Sequence, residues 1–404
     1  MTRRVLGRRA SFLTATAIVA HTIWTSAAPA LTYPLYAQHW HLTTFTTTAI
    51  FAVYPVFVVL VLVLLGNLSD HIGRRETMLI GLGFSALGSL LFAVAPDVDW
   101  IFFGRAFMGV GVGLSAGPSA AAVVEFSSPK GAGQASSATA AAQGLGMMAA
   151  ALIGGALIQY APFPLRLNFA VLTIVLIALI GVTWFMPNHT ASRAAGHWRP
   201  RVPSIPNGVF AVFVASTAAV TGSYVLGAMT LSLGAQVAHD VVASSNALVN
   251  GGTIALFAMA SALATLPARK LIPSKVILAG GLTAIGSSAL LAFAAVQHSL
   301  SLYMVAQAGA GAAYSWLLLG GLSLITAHLP VTHRAATLSA LFLVAYLAQA
   351  LVALSLGKVA TYSGLTSAVD IGVVTIAVLA LVTLLLDLVR QRATVRQSRR
   401  VHGV

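Results

Sequence analysis

The sequence predicts an all-α polytopic membrane protein in which twelve helices cross the bilayer. First, 58% of the 404 residues are hydrophobic and only 7% are charged, whereas about a quarter of the residues in a soluble domain are charged. Second, apolar stretches of roughly 20 residues recur along the chain, and each is long enough to cross about 30 Å of hydrocarbon as a helix. Third, lysine and arginine concentrate in alternate loops, as in a chain that crosses the membrane repeatedly.

Short polar breaks that contain proline or glycine separate the predicted helices. These cover residues 11–34, 44–65, 77–95, 101–125, 134–159, 166–186, 208–232, 243–265, 276–295, 302–327, 336–357 and 367–388. The longest break, "NHTASRAAGHWRPRVPSIP", lies near the middle of the chain. We therefore predict an amino-terminal six-helix bundle over 1–186, a cytoplasmic linker over 187–207, and a carboxy-terminal six-helix bundle over 208–404 that ends in a basic tail.

The distribution of basic residues predicts how the helices are oriented. If the amino end is cytoplasmic, 19 of the 22 lysine and arginine residues lie in inner segments, in agreement with the positive-inside rule. We therefore expect both ends on the inner side of a bacterial-type cytoplasmic membrane. The apolar run of about 23 residues that follows "MTRRVLGRRA" is too long for a signal-peptide core, so we interpret it as an uncleaved first helix.

Composition also argues against several classes of function. The net charge of +14 is spread over many short loops, whereas a nucleic-acid interface needs one basic patch. The chain has no cysteine, which excludes disulfides, thiolate catalysis and cysteine-based metal sites. The sequence shows no phosphate loop, metal-ligand cluster or hydrolase motif. We therefore expect neither an enzyme nor a cofactor, and we expect a monomer in the lipid bilayer.

The two halves of the chain resemble each other at an offset of about 200 residues. "SPKGAGQASSA" after the fourth predicted helix matches "LPVTHRAATLSA" after the tenth, and "GNLSDHIGRR" matches the weaker "ATLPARKLIPSK", which lacks the acid. Duplicated six-helix halves are typical of secondary transporters, which bind their solute between the halves near the bilayer midplane. Chance similarity among Ala/Gly/Leu-rich helices is the alternative, and the matching positions of the loops argue against it.

"GNLSDHIGRR", between the second and third predicted helices, resembles the signature of the major facilitator superfamily, G-x-L-x-D-[RK]-x-G-[RK]-[RK]. His71 replaces the usual basic residue of that signature. Six positions match it: Gly66, Leu68, Asp70, Gly73, Arg74 and Arg75. The resemblance implies the fold of this superfamily, with two pseudo-symmetric six-helix bundles.

The same resemblance implies a cytoplasmic gate that locks the two halves together. In the family the acid at the position of Asp70 contacts the start of helix 11. The arginine at the position of Arg74 pairs with an acid at the end of helix 4, where Glu125 lies. The alternative is that the arginines only set the topology, which explains neither the two acids nor the glycines.

A second motif lies within predicted helix 4. "RAFMGVGVG" resembles the family's R-x-x-x-G-x-G motif through Arg105, Gly109 and Gly111. An arginine within a membrane span predicts a functional role, unless it snorkels to the outer headgroups.

"GLGMMAAALIGGAL" resembles the G-P-x-x-G-G pattern of proton-coupled drug exporters. It keeps Gly154 and Gly155 but has Ala150 and Ala151 in place of Gly-Pro. That departure weakens the antiporter assignment, and the glycines alone are also compatible with ordinary helix packing.

Uncharged polar residues within the spans are candidates for a solute cavity or for proton coupling. His21 lies midway along the first helix and can titrate near physiological pH, although a neutral, hydrogen-bonded histidine explains it equally well. The other uncharged polar residues within the spans are Gln143, Tyr224, Asn246, Asn250, Gln307, Tyr314 and Gln349. Of these, we assign Tyr224, Gln307 and Tyr314 as candidate cavity residues. None of the eight acids lies in the middle of helix 1, 4, 7 or 10, so a desolvated cation would lack a counter-charge there.

These observations favour a secondary transporter that moves a small solute by alternating access. Resemblance to the drug-exporter branch favours proton-coupled efflux of drug-like or metabolite compounds. Asp70, Glu125 and His21 are the candidate proton carriers, and neutral or anionic, partly apolar substrates are expected over permanent cations. Uptake or facilitated diffusion is the alternative. A transporter-like receptor is a third, but its gate motif should be damaged, whereas here it is intact.

Overall fold

A computed structural model describes residues 5–127, 132–187, 204–206, 208–329 and 331–402. Within these ranges lie twelve helices of at least 18 residues, which confirms the predicted fold class. We number them in chain order: α1 (Arg8–Ala27), α2 (Thr44–Leu65), α3 (Arg74–Val94), α4 (Val98–Phe126), α5 (Ala132–Tyr160), α6 (Leu167–Trp184), α7 (Phe210–Ser232), α8 (Ala247–Ala268), α9 (Pro273–Val296), α10 (Leu300–His328), α11 (Val331–Ser363) and α12 (Leu365–His402).

Eleven of these helices are long and apolar enough to cross a membrane. The remaining one, α1, is more polar because it carries several threonine and serine side chains as well as His21. The outer surfaces of the helices are apolar, with exposed side chains such as Leu60, Phe103, Leu282 and Leu351. An exposed apolar surface of this extent is stable in lipid and would aggregate in water.

The first predicted helix, 11–34, is too long. α1 ends at Ala27, and a separate short helix follows at Tyr33–His39. Pro29 and Pro34 explain the break, because proline lacks the N–H that continues a helix and is tolerated mainly in a first turn. Conversely, α12 continues to His402, well beyond the predicted end at 388, so the backbone of the basic tail is helical.

Each half of the chain contains its own hydrophobic core. One cluster of buried side chains comes from the six helices α1–α6 together with Ala228 of α7 and Ala353 of α11, and a second comes from α7, α9, α10, α11 and α12. The halves meet along two helix pairs, α2 with α11 and α5 with α8. Of the predicted linker, residues 188–203 lie outside the described residues, so the domain boundaries at 187 and 207 stay a prediction.

α7 is interrupted near the predicted outer side. Its regular part ends at Ser232, a short helix follows at Gly234–Gln236, and Val237–Val241 form one π-helical turn. The hydroxyl of Tyr303 in α10 donates to the carbonyl of Gly234 at 2.9 Å. This bond satisfies a carbonyl at the break, and it attaches the interrupted end of α7 to α10.

Candidate functional site

The gate motif lies where α3 and α4 meet at the predicted cytoplasmic side. Arg74 is the first residue of α3, and its guanidinium donates to the carboxylate of Glu125 near the end of α4. Both side chains are partly exposed, so water screens the pair and its own contribution to stability is about 0–1 kcal/mol. The structure thus brings together the two residues that the resemblance pairs, while their role in gating stays a prediction.

Two more arginines form hydrogen bonds between helix ends at the predicted cytoplasmic side. Arg75 donates to Glu76 at 2.6 Å and to the carbonyl of Met186, just beyond α6, at 3.3 Å. Arg8 of α1 donates to the carbonyl of Phe126 at the end of α4 at 3.2 Å. A cation there stabilises the negative end of the helix dipole. Sequence reasoning assigned Arg8 only a topological role, because nothing in its local pattern indicates a contact with α4.

Backbone geometry explains the glycines of the motif. Gly73 joins the short helix Leu68–Ile72 to α3 with a φ of 98°, a value that glycine adopts far more readily than other residues. Gly66 is the residue that ends α2. Asp70 lies exposed in the short helix. The resemblance pairs this acid with the start of α11, and Pro330, which directly precedes α11, lies outside the described residues.

We expect Arg74→Ala and Glu125→Gln to slow transport by non-additive amounts. Each change removes the other residue's partner, so the double variant should be little slower than the slower single variant, with a coupling of about 0.5–3 kcal/mol. The measurement is a double-mutant cycle on initial rates in proteoliposomes. As a control, Arg74→Ala combined with Asp99→Asn, at the other end of α4, should be additive. Additive losses for Arg74 and Glu125 would contradict their pairing.

Arg105 of α4 is completely buried, with 0% of its surface exposed, so it does not snorkel to the outer surface. Its Nη1 donates to the carbonyl of Ser26 at 3.2 Å, its Nε to the carbonyl of Ile50 at 3.4 Å, and its Cζ lies 4.6 Å from the centre of the Tyr54 ring. Ser26 lies in the last turn of α1, whose negative dipole end offsets the buried charge. The Nη2 atom has no hydrogen-bond partner among the described residues.

Gly109 and Gly111 let α4 approach two neighbours closely. A Cβ atom at Gly109 would lie 2.7 Å from the carbonyl oxygen of Tyr54 in α2. At Gly111 it would lie 2.6 Å from the carbonyl oxygen of Gly81 in α3. Small residues at such crossings allow backbone-to-backbone packing in a membrane, so both glycines of this motif are explained by packing around Arg105.

The glycine pair of α5 lies at the interface between the halves. A Cβ atom at Gly155 would lie 2.9 Å from the carbonyl oxygen of Ala247 in α8, whereas at Gly154 it would make only ordinary contact with Asn168. Gly251 of α8 in turn packs directly against the carbonyl of Ala151. α5 and α8 therefore cross closely near the predicted outer side. The alanine that replaces proline in the exporter pattern takes part in this crossing.

Aromatic side chains from both halves meet between α2, α7 and α11. Tyr224 of α7 and Tyr346 of α11 form an edge-to-face pair with ring centres 4.8 Å apart, and Phe342 lies 6.1 Å from Tyr224. Tyr346 also packs against the amino-terminal core that contains Tyr54. We call Tyr54, Tyr224, Phe342 and Tyr346 the aromatic cluster. Sequence reasoning identified only Tyr224, because the other members are indistinguishable from core aromatics before the helices are packed.

The other candidate cavity residues from the sequence lie outside the aromatic cluster. Tyr314 of α10 packs against Phe257 of α8, in a core that both halves share. His21 is 1% exposed and lies inside the amino-terminal half, with its Nδ1 atom 2.5 Å from the carbonyl of Ile18. This placement matches the interpretation as a hydrogen-bonded histidine within the bundle.

Gln307 lies inside the carboxy-terminal half rather than between the halves. It lines a small cavity of about 30 Å³ between α7, α9, α10 and α12. Its amide accepts from Thr230 at 3.2 Å and donates to Tyr303 at 2.8 Å. These bonds also connect it to the interrupted end of α7, so its polar atoms are already engaged by protein groups.

Sequence reasoning missed one buried ion pair, which lies in the carboxy-terminal half. Asp387 of α12 is 4% exposed, and it accepts from Arg390 at 2.8 Å and from Ser274 in the first turn of α9 at 3.3 Å. The loop before α9 lacks the acid that its counterpart in the first half carries. In the second half, α12 supplies an acid to this region instead.

Comparison with known proteins agrees with this architecture. The chain is 34% identical over 96 residues to the uncharacterized MFS-type transporter EfpA of Mycobacterium tuberculosis, a match over 23% of this chain and 18% of that protein. It is 30% identical over 95 residues to an MFS-type transporter of Aspergillus terreus, over 24% of this chain and 17% of that protein. The chain thus covers less than a fifth of the length of these relatives.

Solved structures are similar over nearly the whole chain. A bacterial homologue of the human lysosomal transporter Spinster, in an inward-facing and unoccupied conformation, superposes with a TM-score of 0.72 at 15% identity, over 94% of this chain and 96% of that one. A mutant of the nucleoside transporter NupG superposes with a TM-score of 0.73 at 16% identity, over 93% and 99%. At these identities the similarity shows a shared fold.

The family model for the Major Facilitator Superfamily matches residues 13–275. The match covers more than half of the chain, and it includes the gate motif, the Arg105 motif and the glycine pair of α5. The protein therefore belongs to the major facilitator superfamily.

Proposed function

We propose that this transporter exports small, partly apolar compounds that are neutral or anionic, in exchange for protons. The positions of the charged residues support the proposed substrate preference. All eight acidic residues lie in the described ranges, and seven of them lie near the helix ends, in short connecting segments or in exposed positions. The eighth, Asp387, is buried but paired with Arg390. Arg105, by contrast, is a buried cation that no carboxylate accompanies.

Electrostatics gives the size of the expected preference. At an effective dielectric constant of about 20, two like unit charges about 10 Å apart repel by roughly 1.7 kcal/mol, which corresponds to more than tenfold in affinity. A permanent cation in the central part of the protein would meet this repulsion without a fixed counter-charge. An anion would be attracted instead, and the aromatic cluster offers apolar and hydroxyl-bearing surface to a neutral compound.

Proton-driven export is supported by resemblance to the drug-exporter branch, through Gly154 and Gly155 of α5. Asp70 and Glu125 are the proposed proton carriers, because both are titratable and lie at the predicted cytoplasmic side. His21 is a third candidate within the amino-terminal bundle. Its burial between helices means that a proton would reach it only when the helices rearrange.

Facilitated diffusion or uptake is the second candidate function. Two observations favour it over proton coupling. The middle of the bundle lacks a carboxylate that could carry a proton, and α5 has Ala150 and Ala151 where the exporter pattern has Gly-Pro.

Competition in a counterflow assay tests the proposed substrate preference. Purified protein in proteoliposomes is screened with a compound panel to find a transported solute. Three competitors on one scaffold are then compared: 4-tert-butylphenol, 4-tert-butylbenzoate and (4-tert-butylphenyl)trimethylammonium. We expect the cation to compete about tenfold more weakly than the other two, as the estimated repulsion predicts. Strongest competition by the cation would overturn the proposal.

The same liposomes test the energy source. An imposed pH gradient, acidic on the side that corresponds to the cell exterior, should drive the solute in the opposite direction to the protons. Solute movement that is indifferent to the gradient would reject proton coupling and leave facilitated diffusion as the function.

A further inference from the structure

Two helices that begin at the predicted outer side, α2 and α8, are capped by residues of their own half. α2 begins after Thr43, whose hydroxyl oxygen accepts from the N–H of Thr46. α8 begins after Asn246, whose Oδ1 accepts from the N–H groups of Leu248 and Val249. The first four N–H groups of a helix have no partner within that helix, so these caps leave other N–H groups of the first turn to be satisfied.

The opposite half supplies a partner for one further N–H group in each of these helices. In α8, the N–H of Ala247 donates to Oε1 of Gln159, in the last turn of α5, at 2.8 Å. In α2, the N–H of Phe45 donates to the hydroxyl oxygen of Thr361, in the last turn of α11, at 2.9 Å. The Thr361 hydroxyl donates its own proton to the carbonyl of Gly357 at 2.9 Å. Each bond between the halves therefore joins the end of one helix to the start of another.

The two bonds occupy equivalent positions in the internal repeat of the chain. Gln159 and Thr361 are separated by the same number of residues, about 200, as Phe45 and Ala247. The first half provides the acceptor of one bond, and the second half provides the acceptor of the other. A chance contact of one exposed side chain would not recur at the equivalent position of the repeat. The repetition indicates that both bonds belong to the interface between the halves.

One turn before each acceptor lies a glycine that lets the helices approach closely. A Cβ atom at Gly155 would lie 2.9 Å from the carbonyl oxygen of Ala247, and a Cβ atom at Gly357 would collide with the side chain of Thr48 in α2. Residues four apart share one face of a helix, so each glycine and its acceptor face the same neighbour. The two bonds therefore depend on the halves being packed together at this side.

We propose that Gln159 and Thr361 are positioning residues that hold the outer side of the protein closed. We call these two residues the outer latches. When the halves separate on this side, each first-turn N–H exchanges its partner in the opposite half for water. The proposal rests on alternating access, and it does not depend on the substrate, on the direction of transport or on proton coupling.

The exposure of both bonds sets the size of the expected effect. Because Gln159 and Thr361 are exposed, water competes for the same N–H groups. Each bond should therefore favour the closed state by about two- to threefold, the lower end for the net contribution of a hydrogen bond. The two bonds share no residue, so their effects should multiply to about fivefold.

Distance measurements between the halves test the proposal. The chain has no cysteine, so Asp99→Cys and Gln297→Cys provide two unique sites for spin labels. Asp99 is exposed in the first turn of α4, and Gln297 is exposed directly after α9, both at the predicted outer side. Pulsed EPR on the labelled protein in nanodiscs gives the populations of the closed and open outer side, and it needs no transported solute.

In this labelled protein, Gln159→Leu and Thr361→Val should each lower the ratio of closed to open population about two- to threefold. The double variant should lower it about fivefold, since both acceptors are lost. Gln159→Glu and Thr361→Ser keep an oxygen acceptor at the same place. Neither should lower the ratio, and the added negative charge of Gln159→Glu also suits the start of a helix.

Gln38→Leu and Thr375→Val are the matched controls. Gln38 is an exposed glutamine of the short helix after α1, and the Thr375 hydroxyl donates within its own helix, to the carbonyl of Ile371. Both controls should leave the ratio unchanged. Two resolved distances whose ratio the double variant does not change would overturn the latches and leave alternating access in place. A single closed distance in every variant, or controls that lower the ratio equally, would also overturn the proposal.

Discussion

Asp70→Asn is expected to reduce the transport rate about tenfold or more while the protein still inserts and folds. The change preserves the size of the side chain and removes only its charge. Hydrogen bonds to charged groups contribute about 1.5–3 kcal/mol, and a bias of that size on one side of an alternating-access equilibrium changes the state populations by about tenfold or more. Loss of a negative charge from a loop at the predicted cytoplasmic side has little effect on topology, so the amount of protein in the membrane should stay normal.

Asp99→Asn is the matched control for this experiment. It is the same chemical change in an exposed residue of the first turn of α4, on the opposite side from Asp70. Its transport rate should stay close to that of the unaltered protein. A properly folded Asp70→Asn protein that transports at the normal rate would remove Asp70 from the gate.

Arg105→Met is expected to abolish most transport and to lower the melting temperature by a few degrees. Replacement of a buried charge by an apolar side chain of similar volume is often neutral for stability. Here, however, it leaves the carbonyl of Ser26 at the end of α1 without its donor, and it removes the contact with the Tyr54 ring. An unpaired buried group costs about 1–3 kcal/mol, and α1, α2 and α4 lose the side chain that joins them.

The charge of Arg105 can be separated from its packing by two further variants. Arg105→Lys keeps the charge, but one ammonium cannot reproduce the planar guanidinium that reaches both carbonyls and lies over Tyr54. We expect it to recover the preference for anions over cations more fully than the transport rate. Arg166→Met removes an exposed arginine at the start of α6 and should leave both properties unchanged. Full transport by Arg105→Met would show that Arg105 is dispensable.

The sequence by itself predicted the number, order and class of the helices, because spans of about 20 apolar residues and the positive-inside rule are properties of local composition. The pairing of Arg74 with Glu125 was predicted from the resemblance of the gate motif to the family signature. Helix ends were less predictable. Pro29 and Pro34 interrupt the first span, and the backbone of the basic tail stays helical although it lies outside any apolar stretch.

The tertiary structure alone decided which polar groups lie together. Arg105 lies only about five residues into its predicted helix, a position that is equally compatible with snorkelling. Only the packing of α1 and α2 around it shows that it is buried and that it donates to the carboxyl end of α1. Tyr54 and Tyr346 have no distinctive sequence context, since aromatic side chains are common inside helical bundles. Their contacts join helices that are distant in the chain, and such contacts depend on the packing of whole helices, which no local pattern of residues encodes.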